Sequence, residues 1–212
     1  MKGTQPSNEA NPVAPVAPVA PPAVTMNRRG VDLTDAGRYA DALAAFDKAL
    51  AQLPDSPGIL FNRSEARRLS GDTEGARTDL ERALELEPGS ADILHALGMV
   101  AYDDDDFDLA ERRYGEALVV FPAYAEAWND LGVVKFRRGD FPAARSCFEK
   151  AVAADPDSTE AWFNLTDTYE ELGLAREKRR ALESLNAARL RVGGSDGDGD
   201  GDGDGDGDDT EP

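Results

Sequence analysis

The chain is poor in the residues that most chemistry needs. Among 212 residues it has one cysteine, Cys147, and one histidine, His95. A lone cysteine excludes an intramolecular disulfide, and its place beside Phe148 reads as a small hydrophobe in a packing layer rather than a reactive thiol. There is no Gly-rich phosphate loop, zinc-ligand spacing or nucleophile elbow. Catalysis therefore finds no support, and neither a cofactor nor a metal is expected. No apolar run has the length of a membrane span, and nothing in the first 30 residues resembles a signal peptide. A cytoplasmic protein with no membrane role is the expectation. Lysine and arginine number 23 against 42 aspartates and glutamates, a net charge of −19. That balance argues against nucleic acid as the main partner.

What the chain does contain is a repeat. Residues 125–158 read AEAWNDLGVVKFRRGDFPAARSCFEKAVAADPDS. With Ala125 as position 1, Trp128, Leu131 and Gly132 occupy positions 4, 7 and 8, and Ala144, Phe148, Ala151 and Pro156 occupy 20, 24, 27 and 32. Steps of 34 residues back from Pro156 reach Pro122, Pro88 and Pro54, and back from Ala144 they reach Ala110, Ala76 and Ala42. Position 24 reads Phe46, Leu80, Tyr114, Phe148 and Leu182, and position 8 reads Gly30, Ser64, Gly98, Gly132 and Thr166. Five units tile residues 23–192 without insertion: 23–56, 57–90, 91–124, 125–158 and 159–192.

This pattern, W-x2-L-G followed by A-x3-F, a small residue and a closing proline, resembles the tetratricopeptide repeat (TPR) family. Lys135 stands at position 11, where that family has tyrosine. The resemblance implies an all-α solenoid of five tandem 34-residue helix-turn-helix units. Each unit has a helix A near positions 2–14 and a helix B near 15–31. Small residues at 8 and 20 let the two helices approach, and positions 4, 7, 24 and 28 fill the space between them. Gly37, Gly71, Gly139 and Gly173 stand at position 15, where a residue free to take positive φ ends a helix.

The irregularities are local. In unit 1, Arg29 replaces leucine at position 7, as suits a polar cap facing water. In unit 2, Arg63 and Arg67 stand at positions 7 and 11. Unit 3 replaces the turn glycine by Asp105 within Asp103–Asp106, read as a solvated turn. Unit 5 has Lys178 at position 20 and Leu185 at 27, the loss of small docking residues that suits a last unit.

The two ends read as disordered. In residues 1–22, Pro12, Pro15, Pro18 and Pro21 have the three-residue period of a polyproline II spacer. Residues 193–212 form a Gly/Asp tail with eight aspartates and Glu211, nine of the 19 net negative charges. Asp200, Asp202, Asp204, Gly205 and Glu211 fit an EF-hand loop pattern. Gly207 stands where that loop has an apolar anchor, so the match reads as a by-product of the Gly-Asp repeat. The tail is also long enough to reach the bases between Arg176 and Arg191.

In peptide-binding members of the family, positions 2, 5, 9 and 12 of helix A line the concave surface. The resemblance places a groove on Phe61 and Arg68 in unit 2, and on His95, Met99 and Tyr102 in unit 3. It continues on Asn129, Val133 and Phe136 in unit 4, and on Phe163 and Asp167 in unit 5. The face carries many acids and no lysine, so a clamp for acidic chaperone tails is not expected. The resemblance implies a monomeric, non-catalytic scaffold that binds a peptide segment of a protein partner, with basic residues favoured. A self-assembling adaptor and a cation-responsive protein acting through its tail remain as alternatives.

Overall fold

The computed structural model describes residues 22–194. They form ten helices: α1 (Ala23–Asp35), α2 (Tyr39–Leu50), α3 (Pro57–Leu69), α4 (Thr73–Leu86), α5 (Ala91–Asp103), α6 (Phe107–Val120), α7 (Ala125–Arg137), α8 (Phe141–Ala154), α9 (Thr159–Glu171) and α10 (Ala175–Gly194). The proline-rich segment and the EF-hand-like match lie outside the described residues.

One turn chemistry is used five times. The amide of each position-16 residue (Arg38, Asp72, Asp106, Asp140 and Leu174) donates to the carbonyl five residues earlier, at 2.8–3.0 Å. This closes each odd helix with a 6→1 bond across a left-handed residue. The four turn glycines take φ of 67–86° and Asp105 takes 58°. Asp72, Asp106 and Asp140 then cap the following even helix, their carboxylates accepting from Gly75 N, Leu109 N and Ala143 N at 3.0–3.1 Å. The four consecutive aspartates thus divide their work. Asp103 pairs with Arg68, Asp104 with Arg77, Asp105 makes the turn and Asp106 caps α6.

Partners within each pair meet through one close approach. A Cβ on Gly30, Gly98 or Gly132 would stand 2.5–2.6 Å from the ring of Phe46, Tyr114 or Phe148, respectively. In unit 2 the same two repeat positions hold Ser64 and Leu80, and both are buried. Each odd helix also touches the next odd helix, whereas no two even helices touch among the described residues. Odd helices therefore share one side of the stack, and their exposed stripes form a continuous surface.

Unit 2 fills positions 7 and 11 with an ionic core, and one reading from sequence, the loss of small residues in unit 5, needs correction. Arg63 chelates Asp79 with Nε and Nη2 at 2.8 and 2.6 Å, and Arg67 Nη1 adds a contact at 3.0 Å. Asp79 is only 3% exposed. In the last helix, Leu182 is 40% exposed, whereas Ala181, Leu185 and Ala188 are buried. These three repeat the small-large-small spacing of Ala144, Phe148 and Ala151 three residues late. The small residues of α10 are displaced along the helix, not lost, which leaves Lys178 free to pair with Glu170 at 2.8 Å.

Candidate functional site

A polar ladder joins the odd helices. Asn62 donates to Asn27 at 3.1 Å, His95 Nε2 lies 2.7 Å from Asp130 Oδ2, and Asn164 donates to Asn129 at 2.9 Å. Every rung links position 5 of one unit to position 6 of the next, 35 residues on. Phe61 and Ala96 occupy the same two positions as apolar neighbours, partly buried against one core cluster. The ladder ends at Phe163, which has no following odd helix among the described residues and is 49% exposed.

Asn129 is consequently not a free groove contact. It is 5% exposed, and its amide nitrogen also donates to Asp130 and Glu160 at 3.2 Å. His95 is half committed as well, with its ring 5.4 Å from that of Tyr114 and 5.0 Å from that of Tyr124.

Apart from Phe163, the other expected residues line cavities or depressions on the odd-helix side. Met99, Tyr102 and Val133 wall a cavity of about 140 Å³ between α5 and α7, with Tyr114 as its floor. Arg68, Asp103 and Asp130 form its rim. A second cavity of about 90 Å³ lies between α7 and α9, walled by Val133 and Phe136 and floored by Phe148. Arg137, Asn164 and Asp167 surround it. The two are equivalents one repeat apart and share Val133 as a partition. Phe61 borders a separate depression of about 210 Å³ with Ile93 and Asp92.

Rings from the even helices brace the walls. Tyr102 meets Phe107 at 5.5 Å, and Phe136 meets Phe141 edge-on at 5.1 Å. The Arg137 guanidinium lies 6.0 Å from the Tyr102 ring centre and 5.7 Å from that of Phe107. Arg68 is held by Glu65 at 2.9 and 3.0 Å and by Asp103 at 2.9 Å. Asp167 has no ion pair or hydrogen bond among the described residues, and burial, with Glu170 nearby, holds its carboxyl above the ordinary range.

Sequence reasoning missed three kinds of site residue. Positions 6 (Asp130, Asn164) and 13 (Asp103, Arg137) line the cavities, and position 24 (Tyr114, Phe148) floors them. Positions 6 and 13 lie three and four residues from position 9, so helical spacing could have found them. Nothing local shows that a helix B ring reaches the groove. A further exposed apolar run, Val119-Val120-Phe121, closes α6 on the even-helix side.

Among the described residues no helix is long and apolar enough to cross a membrane, and no group of three histidine, cysteine or acidic side chains is poised to hold a metal. Tetratricopeptide repeat models match residues 89–157, and residues 27–91 with 130–189. The chain is similar to tetratricopeptide repeat protein 36 of Homo sapiens, 46% identical over 64 residues, covering 30% of this chain and 34% of that one. The Danio rerio protein of the same name is 39% identical over the same length. The match thus spans about a third of these curated relatives. Among solved structures, pilF of Pseudomonas aeruginosa superposes with a TM-score of 0.72 at 17% identity, covering 78% of this chain and 76% of that one. MamA does so with 0.66 at 22%, covering 78% and 96%. These likenesses show the fold alone. With the helix pairs, the turn chemistry and the family match in agreement, the chain belongs to the tetratricopeptide repeat family.

Proposed function

We propose that this chain is a non-catalytic interaction scaffold that holds a peptide segment of a partner protein along the odd-helix surface. Domains of this family serve protein–protein interaction. The observation that carries the finer reading is the pair of equivalent cavities on α5, α7 and α9, apolar within and charged at the rim. Repeated sockets one repeat apart suit successive side chains of one extended segment. Acidic groups on this face, including Asp92, Glu160 and the unpaired Asp167, favour a partner with basic residues and give salt-sensitive affinity. In this reading the protein works in the cytoplasm as a monomer, without nucleic acid or membrane contacts.

The test is capture of partners by the wild-type chain and by Tyr102→Ala/Phe136→Ala. The double variant should keep its helicity and lose capture. Undiminished capture would move binding elsewhere, the exposed Val119–Phe121 run first.

A second reading, self-assembly through the last unit, is favoured by Phe163, Leu182 and Leu190, all exposed at that end of the stack. Light scattering across a concentration series separates the two, since the scaffold reading requires a monomer mass throughout.

A further inference from the structure

We propose that the cavity between α5 and α7 is a socket for a lysine side chain of the bound peptide, with Tyr114, Asp103 and Asp130 receiving its ammonium group. This rests on the groove reading above and specifies what one part of the groove selects. Tyr114 is the first reason. Its ring is 2% exposed and pressed on Gly98, yet it floors the cavity, and no described residue bonds its hydroxyl. The hydroxyl itself is not sealed off, so it opens on the cavity with its bonding capacity free for a group that enters there. The equivalent floor one repeat on is Phe148, which has no hydroxyl, so the polar floor belongs to this cavity alone of the two.

Charge is the second reason. Asp103 and Asp130 flank the opening, with side chains 35% and 27% exposed. Arg68 is the one cation lining the cavity, and Glu65 and Asp103 already match it. Counting Arg68 and the nearby Arg137 against Glu65, Asp103 and Asp130 (2 − 3) leaves an excess of one negative charge. An anionic ligand is disfavoured and a cation is drawn in.

Shape is the third. Met99, Val133 and the Tyr102 ring make an apolar sleeve that ends in oxygen acceptors, the complement of a methylene stem with a charged head. Three acceptors on separate elements suit a compact ammonium with three rotatable donors. A planar guanidinium needs two free oxygens side by side, and here Oδ2 of Asp103 is already bonded to Arg68 and Oδ2 of Asp130 to His95.

The experiment selects a random peptide display library on the full chain, then titrates the enriched peptide calorimetrically. Enrichment of one lysine is expected. Its replacement by norleucine should weaken binding about tenfold or more, and Tyr114→Phe in the protein should weaken it about tenfold with an unchanged melting temperature. Asp130→Asn serves as a second variant and should act in the same direction. Four results would overturn the socket: enriched peptides without lysine, norleucine or arginine binding as tightly, or both variants leaving affinity unchanged. In each of these the groove reading stands when Tyr102→Ala/Phe136→Ala still abolishes binding of the enriched peptide, and falls with the socket when it does not. Failure to enrich any peptide would overturn both.

Discussion

Phe148 lies against Gly132, so close that a Cβ on the glycine would stand 2.6 Å from a ring carbon. The ring is 1% exposed and has nowhere to withdraw. Gly132→Ala should therefore cost about 1–3 kcal/mol through overpacking. Gly115, inside α6 with nothing near its missing Cβ, is the control. Gly115→Ala should stabilise by about 0.5–1 kcal/mol, the usual gain from replacing a mid-helix glycine. Urea denaturation of the two variants reads both signs, and equal effects would discard the close-approach account.

Asp79 is held by two arginines from the neighbouring helix and is nearly inaccessible to water. Removing it leaves Arg63 and Arg67 crowded together with their shared counterion gone, although Asp47 still pairs with Arg63. Asp79→Ala should cost about 3–5 kcal/mol, as for other half-broken buried pairs. A replacement of all three by Leu at 63, Tyr at 67 and Ala at 79 would restore the family's apolar pattern and should recover most of that loss. No recovery in thermal melts would mean that the ionic core supplies something an apolar one cannot.

Trp128 is half-buried, less so than its place in the repeat suggests. Its indole N–H donates to the Pro122 carbonyl at 2.9 Å, Lys150 lies 3.9 Å from its ring centre, and it bridges two core clusters. Trp162 makes the same bond to Pro156 one repeat later. Trp128→Ala should cost about 2–3 kcal/mol, below the range for fully buried tryptophan. Because it bridges clusters, hydrogen exchange should speed up in α5 and α9 as well as in α7. A loss confined to α7 would contradict the bridging role.

Among the described residues Asp167 has no hydrogen-bond or ion-pair partner in the second cavity, and desolvation raises its carboxyl above the ordinary range. A raised folded-state value means that the folded protein binds the proton more tightly than the unfolded one. Ionised Asp167 thus disfavours the fold at neutral pH, and stability is gained as pH falls through the raised value. Asp167→Asn should be more stable than wild type at neutral pH, with the difference vanishing below the unfolded carboxylate value. The gain is small because the group is partly solvated. A difference that persists at low pH would point to the amide's own hydrogen bonds instead of charge.

The fold was legible because the repeat encodes it at short range. Left-handed turn glycines, aspartate caps and small residues at position 8 act within one helix pair, and their 34-residue spacing carries the same solution along the chain. The family resemblance put Met99, Tyr102, Val133 and Phe136 on one expected face, and these four line the two cavities. Three matters were decided only in three dimensions. Asn129 leaves the groove because its partner, Asn164, sits 35 residues away on the next odd helix. Arg63 and Arg67 look like flaws until Asp79, on the facing helix, neutralises them. Tyr114 and Phe148 become cavity floors because the glycines opposite let them cross the helix interface. Local sequence sets backbone conformation and which face is apolar. Which side chains are spent on packing, and which remain for a ligand, depends on residues brought together from different helices.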